Sequence, residues 1–444
     1  MEFNTDYRLE NYILNTKWED LPEEVKDRAY VCSIDLMMAL ILGIHGEQYQ
    51  NGKRLAKHMA PGDITLPGGD GGFSLLGAAT ALGHASNSFD IDDGHNMIKG
   101  HPGTSFIGGV LAAAIEKGIS YKDYLTTLVV CYDTAVRIGL STQDFYGFLH
   151  STGTYGAVST AAGIGRIYGF TKEELNTAIS MAEFHAPLTP VMFAVNFPSM
   201  NKDGVPFGAM IGTLAALDTM AGETADKYIL EMPQYEELRK SLGSRYEILN
   251  LYFKPYTCCR WAHQPIQASI ELMQANGFDY TAVERVIVHT FDSATQLSKI
   301  VPKDTDEAQY NIAYPVSTAI VNQGLGYPQI CNAALSDQRV IDMMKRVEFV
   351  MDPDMEKEFP TKRLAWVEFF LKDGRTFKSR VYAANGEATD HIDMAWEEAK
   401  FRRITKPFLS DEGQTRVLSL LSGNLERSVP EVVAELNKVL EAGA

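Results

Sequence analysis

The stretch Val283-Glu284-Arg285-Val286-Ile287-Val288-His289-Thr290-Phe291 marks the point where the chain changes character. Its β-branched residues alternate roughly with polar ones, the period of a half-buried strand. A second β signal follows at 364–371, then Asp373-Gly374, then 376–384, and reads as a hairpin with an Asp-Gly turn. Between the two, 313–323 and 336–347 carry helical patterns. Residues 266–391 are therefore expected to form a smaller α+β domain.

On both sides of that domain the pattern is helical. Leu21-Pro22-Glu23-Glu24 places a Pro and two acids where a first helical turn favours them, ahead of an apolar run to Ile44. Four small-residue runs follow: LLGAATALGHA (75–85), FIGGVLAAAIEKG (106–118), TYGAVSTAAGIGRIYG (154–169) and FGAMIGTLAALDTMAG (207–222). Gly and Ala at this density let helices approach closely, and charges break the runs, so tight packing inside a helical domain is expected. Thr171 and Glu174 have the spacing of a capping box. From about His391 the helical pattern returns with a charged face. The fold class is thus mainly α: a helical domain over 1–265, rejoined by 392–444, plus the α+β domain.

With 444 residues, 45% hydrophobic and 22% charged, the chain has the composition of a globular protein large enough for two cores. Its 57 acids against 40 bases give a formal charge of −17. Such a surface repels phosphate backbones and anionic lipid, so neither nucleic acid nor membrane is an expected partner. An acidic substrate would need a local basic pocket. The five cysteines (Cys32, Cys131, Cys258, Cys259, Cys331) fit neither a zinc ribbon nor a disulfide framework, so a reducing cytoplasm is expected. The acidic start MEFNTDYRLENYIL does not read as a secretory signal, and the apolar stretches 37–44 and 106–115 are too short to span a bilayer.

Four clusters carry candidate chemistry. The first runs from Gly83 through Phe89-Asp90-Ile91-Asp92-Asp93-Gly94-His95 to Lys99-Gly100-His101-Pro102. Its acids and histidines can ligate a metal or hold a general base, or simply form an acidic helix end. The spacing matches neither a calcium loop nor H-E-x-x-H, so no metal is expected. The second, Gly147-Phe148-Leu149-His150-Ser151-Thr152-Gly153-Thr154, sets His150 before a turn that opens a helix, a place that favours an anion. Equally, His150 can cap its own turn. The third places Lys202 in Ser199-Met200-Asn201-Lys202-Asp203-Gly204, where a lysine is ordinarily just solvated. The fourth, Lys254-Pro255-Tyr256-Thr257-Cys258-Cys259-Arg260-Trp261-Ala262-His263, groups three basic side chains that suit a carboxylate clamp.

In this order, the four clusters resemble the blocks of the MmgE/PrpD family, which includes 2-methylcitrate dehydratase, cis-aconitate decarboxylase and iminodisuccinate epimerase. The matching text is F-D-x-D-D followed by H-P, G-F-x-H-S-T-G-T-x-G, M-x-K before G-x-L-A-A-L, and K-P-Y-x-C-C-R-x-x-H. Glu307-Ala308-Gln309-Tyr310-Asn311-Ile312-Ala313-Tyr314 and Lys400-Phe401 resemble later family blocks. The resemblance implies a helical domain, a lid-like α+β domain, an active site between them, a homodimer and no cofactor. Carried over by motif, Asp90, His101, His150, Lys202, His263 and Tyr314 match active-site positions, and Lys254 and Arg260 are expected on substrate carboxylates. The chain departs from the family in three places. Gly94 stands where many members have Thr, the interval to His101 is one residue longer, and a His after the Lys202 position is absent.

The chemistry expected is removal of a proton α to a carboxylate, which requires fixed cations for the developing charge. Lys202, Arg260 and His263 suit that role, with Lys99 assisting. His150 or Asp90 would take the proton, and His101 or Tyr314 would protonate a leaving hydroxyl. Loss of water makes the protein a dehydratase on a small polycarboxylic acid, the favoured outcome. Reprotonation would make it an epimerase, and loss of carbon dioxide a decarboxylase. Two rivals are a non-catalytic carboxylate binder and a metal hydrolase built on Asp90, Asp92, Asp93, His95 and His101.

Overall fold

The computed structural model describes residues 1–443. The small-residue runs form the helices Leu75–Ser86, Pro102–Lys117, Gly153–Tyr168 and Val205–Ala221, which pack together as a group. A Cβ on Gly108 would lie 2.7 Å from the backbone nitrogen of Gly83 and 2.8 Å from the Ala79 carbonyl oxygen. The first two helices therefore touch backbone to backbone, which a larger side chain would prevent. The Glu23–Gly43 helix begins after Pro22 and is buried without interruption from Val31 to Gly43. Buried on every side along that stretch, where Asp35 is paired with Lys400, it is a core helix. Among the described residues no single helix is long and apolar enough to cross a membrane; this one and Glu47–Ala56 reach that length together only across an 85° bend. The capping box at Thr171 and Glu174 is present.

Val283–Thr290 is an inner strand of a five-stranded sheet, between Val347–Met351 on one side and Leu364–Leu371 on the other. It runs parallel to the first and antiparallel to the second, with Val286 opposite Phe369 and Val288 opposite Val367. A parallel pair needs a long crossover, and residues 291–346 supply it, including the Ala313–Asn322 helix. Ala365, Val367, Phe369 and Leu371 point inward against the His263–Asn276 helix. The Asp373-Gly374 turn is in place, with Gly374 at φ 87°.

Two sequence expectations change here. The helix read over 336–347 is Gln338–Met344, because Val347 already starts a strand. The return strand of the hairpin is split into Thr376–Lys378 and Tyr382–Ala383, both paired to Leu364–Leu371. Of the C-terminal helices, Met394–Thr405 lies on Glu23–Gly43, and Val429–Gly443 on Pro102–Lys117.

One ladder too short to read in the sequence matters most for the site. Gly94–His95 pairs antiparallel with Leu251–Tyr252, which draws the first cluster onto the fourth.

Candidate active site

Gln309 is the joint between three of the clusters. Its side-chain oxygen accepts from Lys202 Nζ, its amide donates to the Ser88 carbonyl at 3.0 Å, and its backbone carbonyl accepts from the Cys259 N–H at 2.9 Å.

Beneath this joint lies a buried ionic group. Lys254 Nζ sits 2.8 Å from Asp90 Oδ1 and 3.9 Å from Asp92 Oδ1. His101 Nδ1 is 3.0 Å from Asp92 Oδ2, and its Nε2 is 3.6 Å from Asp90 Oδ1. Thr104 and Asn87 each donate to Asp92 at 2.8 Å. Burial alone would raise Asp92, but Lys254, His101 and the Thr104 hydroxyl more than reverse it and hold the carboxyl well below the usual range. Burial and Lys254 would lower His101; Asp92 and Asp90 outweigh them, so its pKa is raised. Ligand atoms of Asp90, Asp92 and His101 all lie within 4.8 Å of one another, the spacing of a metal site. The Lys254 ammonium, 3.1 Å from His101 Nδ1, already supplies the positive charge there. A divalent ion would have to share the group with an adjacent cation, so the donor set fits a metal poorly.

The group floors a cleft of about 390 Å³ whose polar lining includes Asp90, Lys99, His101, Asp203, Lys254, Arg260 and Arg363. Four of these are Lys or Arg and two are Asp, inside a protein of formal charge −17. Arg260 is held by Glu387 at 2.6 Å and by the Asn385 carbonyl at 3.0 Å. Arg363 donates to Asn96, and its Nε has no partner. Burial, then Arg363, lower Lys99 to about 7. Asp203 takes the Thr152 N–H at 2.9 Å and the Thr152 hydroxyl on Oδ2 and leaves Oδ1 unpaired; burial raises it to about 6.

Not every expected residue reaches the cleft. His150 does not line it. Its Nδ1 donates to the Ser151 carbonyl at 3.1 Å, and its Nε2 pairs with the Thr142 hydroxyl at 2.7 Å. Burial lowers its pKa, so the ring is a neutral packing element. His263 donates to the Cys258 carbonyl at 2.9 Å and holds Arg260 Nη1 at 3.4 Å, and burial pushes its pKa well down. It stands behind the clamp. Lys202 pairs with Asp306 at 3.0 Å, fully buried, and lies behind the Tyr310 ring. Tyr314, expected at the site, does not line the cleft. Its hydroxyl meets the Gln329 and Ala334 carbonyls and lines a different cavity, while Tyr310, four residues earlier and outside the Ala313–Asn322 helix, lines the cleft.

The residues missed are Tyr310, Tyr252, Asp203 and Arg363. Tyr310 and Asp203 stand inside stretches already singled out, but Arg363 carries no signal beyond its charge. Tyr252 also explains the Gly94 departure, since a Cβ there would lie 2.2 Å from the Tyr252 ring carbon Cζ. A threonine and this tyrosine cannot coexist. Backbone strain offers a further signature. Asp90, Lys99 and Lys202 have φ of 51°, 52° and 50°, three of the five non-glycine residues with positive φ among the described residues. Each such residue costs about 1–3 kcal/mol, and such strain gathers at functional sites.

The family model for the MmgE/PrpD N-terminal domain matches residues 7–235, and that for the MmgE/PrpD C-terminal domain matches 256–423. The chain belongs to the MmgE/PrpD family. It is 24% identical over 481 residues to the cis-aconitate decarboxylase-like protein oryM of Aspergillus oryzae, covering 98% of this chain and 97% of that one. It is also 23% identical over 350 residues to a cis-aconitate decarboxylase of Aspergillus terreus, covering 70% of each.

Proposed function

We propose that the protein is a lyase of small polycarboxylic acids that eliminates water after loss of the proton α to a carboxylate. The observation that carries this reading is the company His101 keeps: two carboxylates and a buried ammonium behind it, and Lys99, Arg260 and Arg363 lining the same cleft.

The three cations receive substrate carboxylates and stabilise the charge that develops on the carbon. A site of fixed dipoles and charges shielded from water makes each such contact stronger than in bulk. Asp203 takes the proton on its free Oδ1; a carboxyl near 6 is a better base at neutral pH than an ordinary one. His101, its pKa raised by Asp92 and Asp90 over the opposing pull of burial, gives a proton to the leaving hydroxyl as imidazolium. No bound cofactor enters this scheme.

The names of the Aspergillus relatives favour a second reading, decarboxylation, in which His101 would protonate carbon as carbon dioxide leaves. A panel of di- and tricarboxylic acids followed by NMR for new alkene protons, with released carbon dioxide trapped in parallel, separates the two. Alkene without carbon dioxide is expected. Carbon dioxide in equal amount would transfer the proposal to the second reading, and no turnover of any acid would leave a carboxylate-binding protein.

We also propose a homodimer in a cytoplasmic setting. Phe184, Phe193, Phe197, Phe207, Leu214 and Met220 are 41–85% exposed, and a second copy seated over them would take that carbon out of water. Light scattering on the purified protein should give twice the 49.2 kDa chain mass.

A further inference from the structure

The cleft is divided in its chemistry. Its charged side comes from 90–101, Asp203, 252–260 and Arg363, whereas Phe148, Leu149, Val191, Met192 and Val195 present almost unbroken carbon from one neighbouring region. That region is built, not incidental. Val191 N–H donates to the Leu149 carbonyl at 2.9 Å, Ser151 N–H to the Thr189 carbonyl at 2.7 Å, and His150 bridges to Pro190. The two segments therefore form one wall.

The short Met192–Asn196 helix and its flanks have two apolar sides. Val191 and Val195, four residues apart, line the cleft; Phe193 and Phe197, also four apart, line the neighbouring cavity and are 57% and 70% exposed. Leu149 in the cleft wall is itself 41% exposed. A compact acid made only of carboxyl and hydroxyl groups gains nothing from such a surface. A ligand with a hydrocarbon arm gains the full transfer free energy of each buried methylene.

We propose that this wall is a subsite for an apolar substituent, and that the substrate is a polycarboxylate carrying an alkyl arm of several carbons beside its acid groups. The proposal rests on the carboxylate reading above. The head lies against Lys99, Arg260 and Arg363, and the arm lies along Leu149, Val191 and Val195. Lys99 Nζ stands 5.9 Å from the Phe359 ring centroid, where charged and carbon linings adjoin.

The test is isothermal titration of the full chain with tricarboxylates bearing hydrogen, methyl, butyl and hexyl at one carbon. Kd should tighten about three- to fourfold per methylene over the first few carbons. In Leu149→Asp and Val191→Asp, both at partly exposed positions, the ratio of short-chain to hexyl Kd should collapse to within about threefold of unity. A flat series in the wild type, with the unsubstituted acid still bound, would overturn the subsite alone. Failure of every acid to bind would overturn it together with the reading beneath it. A steep series that survives in both variants would place the arm elsewhere and also overturn it.

Discussion

His101 and His150 begin from similar local sequence, each with glycines within three residues and just ahead of a helix, and they end in opposite environments. His101 meets Asp90, Asp92 and Lys254 and looks into the cleft; His150 meets a threonine hydroxyl and a carbonyl and looks into the packing behind it. Carboxylates raise the pKa of an imidazole and ready it to carry a proton, whereas burial without such partners lowers it. What separates a chemical histidine from a structural one is the set of side chains brought from elsewhere in the chain.

Six substitutions, the last two read as a pair, break or sharpen that contrast, beginning with the largest expected effect. His101→Gln should lower kcat by about 10²–10⁴-fold, the range for losing a general acid, measured under substrate saturation. A loss under tenfold would erase the distinction. Lys254→Met leaves Asp90 and Asp92 buried without their cation and should cost about 3–5 kcal/mol of stability in urea titration. An unchanged midpoint would show that the ionic floor is not what holds the cleft. Lys99→Arg addresses pH. Wild-type Lys99 loses its charge as pH rises through about 7, so KM should climb by about tenfold from pH 6 to 9, one missing charged contact being worth roughly 1.5 kcal/mol. The arginine variant keeps its charge and should show a flat KM; the same climb in both would exclude Lys99 from binding. His150→Gln should cost about 1 kcal/mol of stability through the lost Thr142 bond and leave kcat nearly untouched. A hundredfold loss would restore it to the chemistry. Tyr314→Phe should be silent in kcat, while Tyr310→Phe should not be.

Much of the fold is legible in the sequence because it rests on local periodicity. The small-residue runs become closely packed helices, and the alternation at 283–290 becomes an inner strand. The pairing of Gly94–His95 with Leu251–Tyr252 escapes notice because two residues carry no period. At the site, motif text locates Asp90, Lys99, His101, Lys254 and Arg260 in the cleft. It fails for Tyr314 because Tyr310 stands before the Ala313–Asn322 helix, at the end of Thr305–Gln309, and faces the cleft, whereas Tyr314 lies inside the helix with its hydroxyl toward another cavity. It fails for Asp203 because an acid next to a lysine reads as a solvated pair. Here the lysine goes to Asp306 and the acid to Thr152, so each finds a partner remote in sequence.

The most direct test follows the α-proton itself. A polycarboxylate that binds the protein is incubated with it in deuterium oxide, and the α-carbon resonance is followed by NMR in the wild type and in Asp203→Asn. Deuterium should enter in the wild type and fail to enter in the variant, with Kd similar in both. A bound acid whose α-proton never exchanges and which is never converted by the wild type would contradict the account.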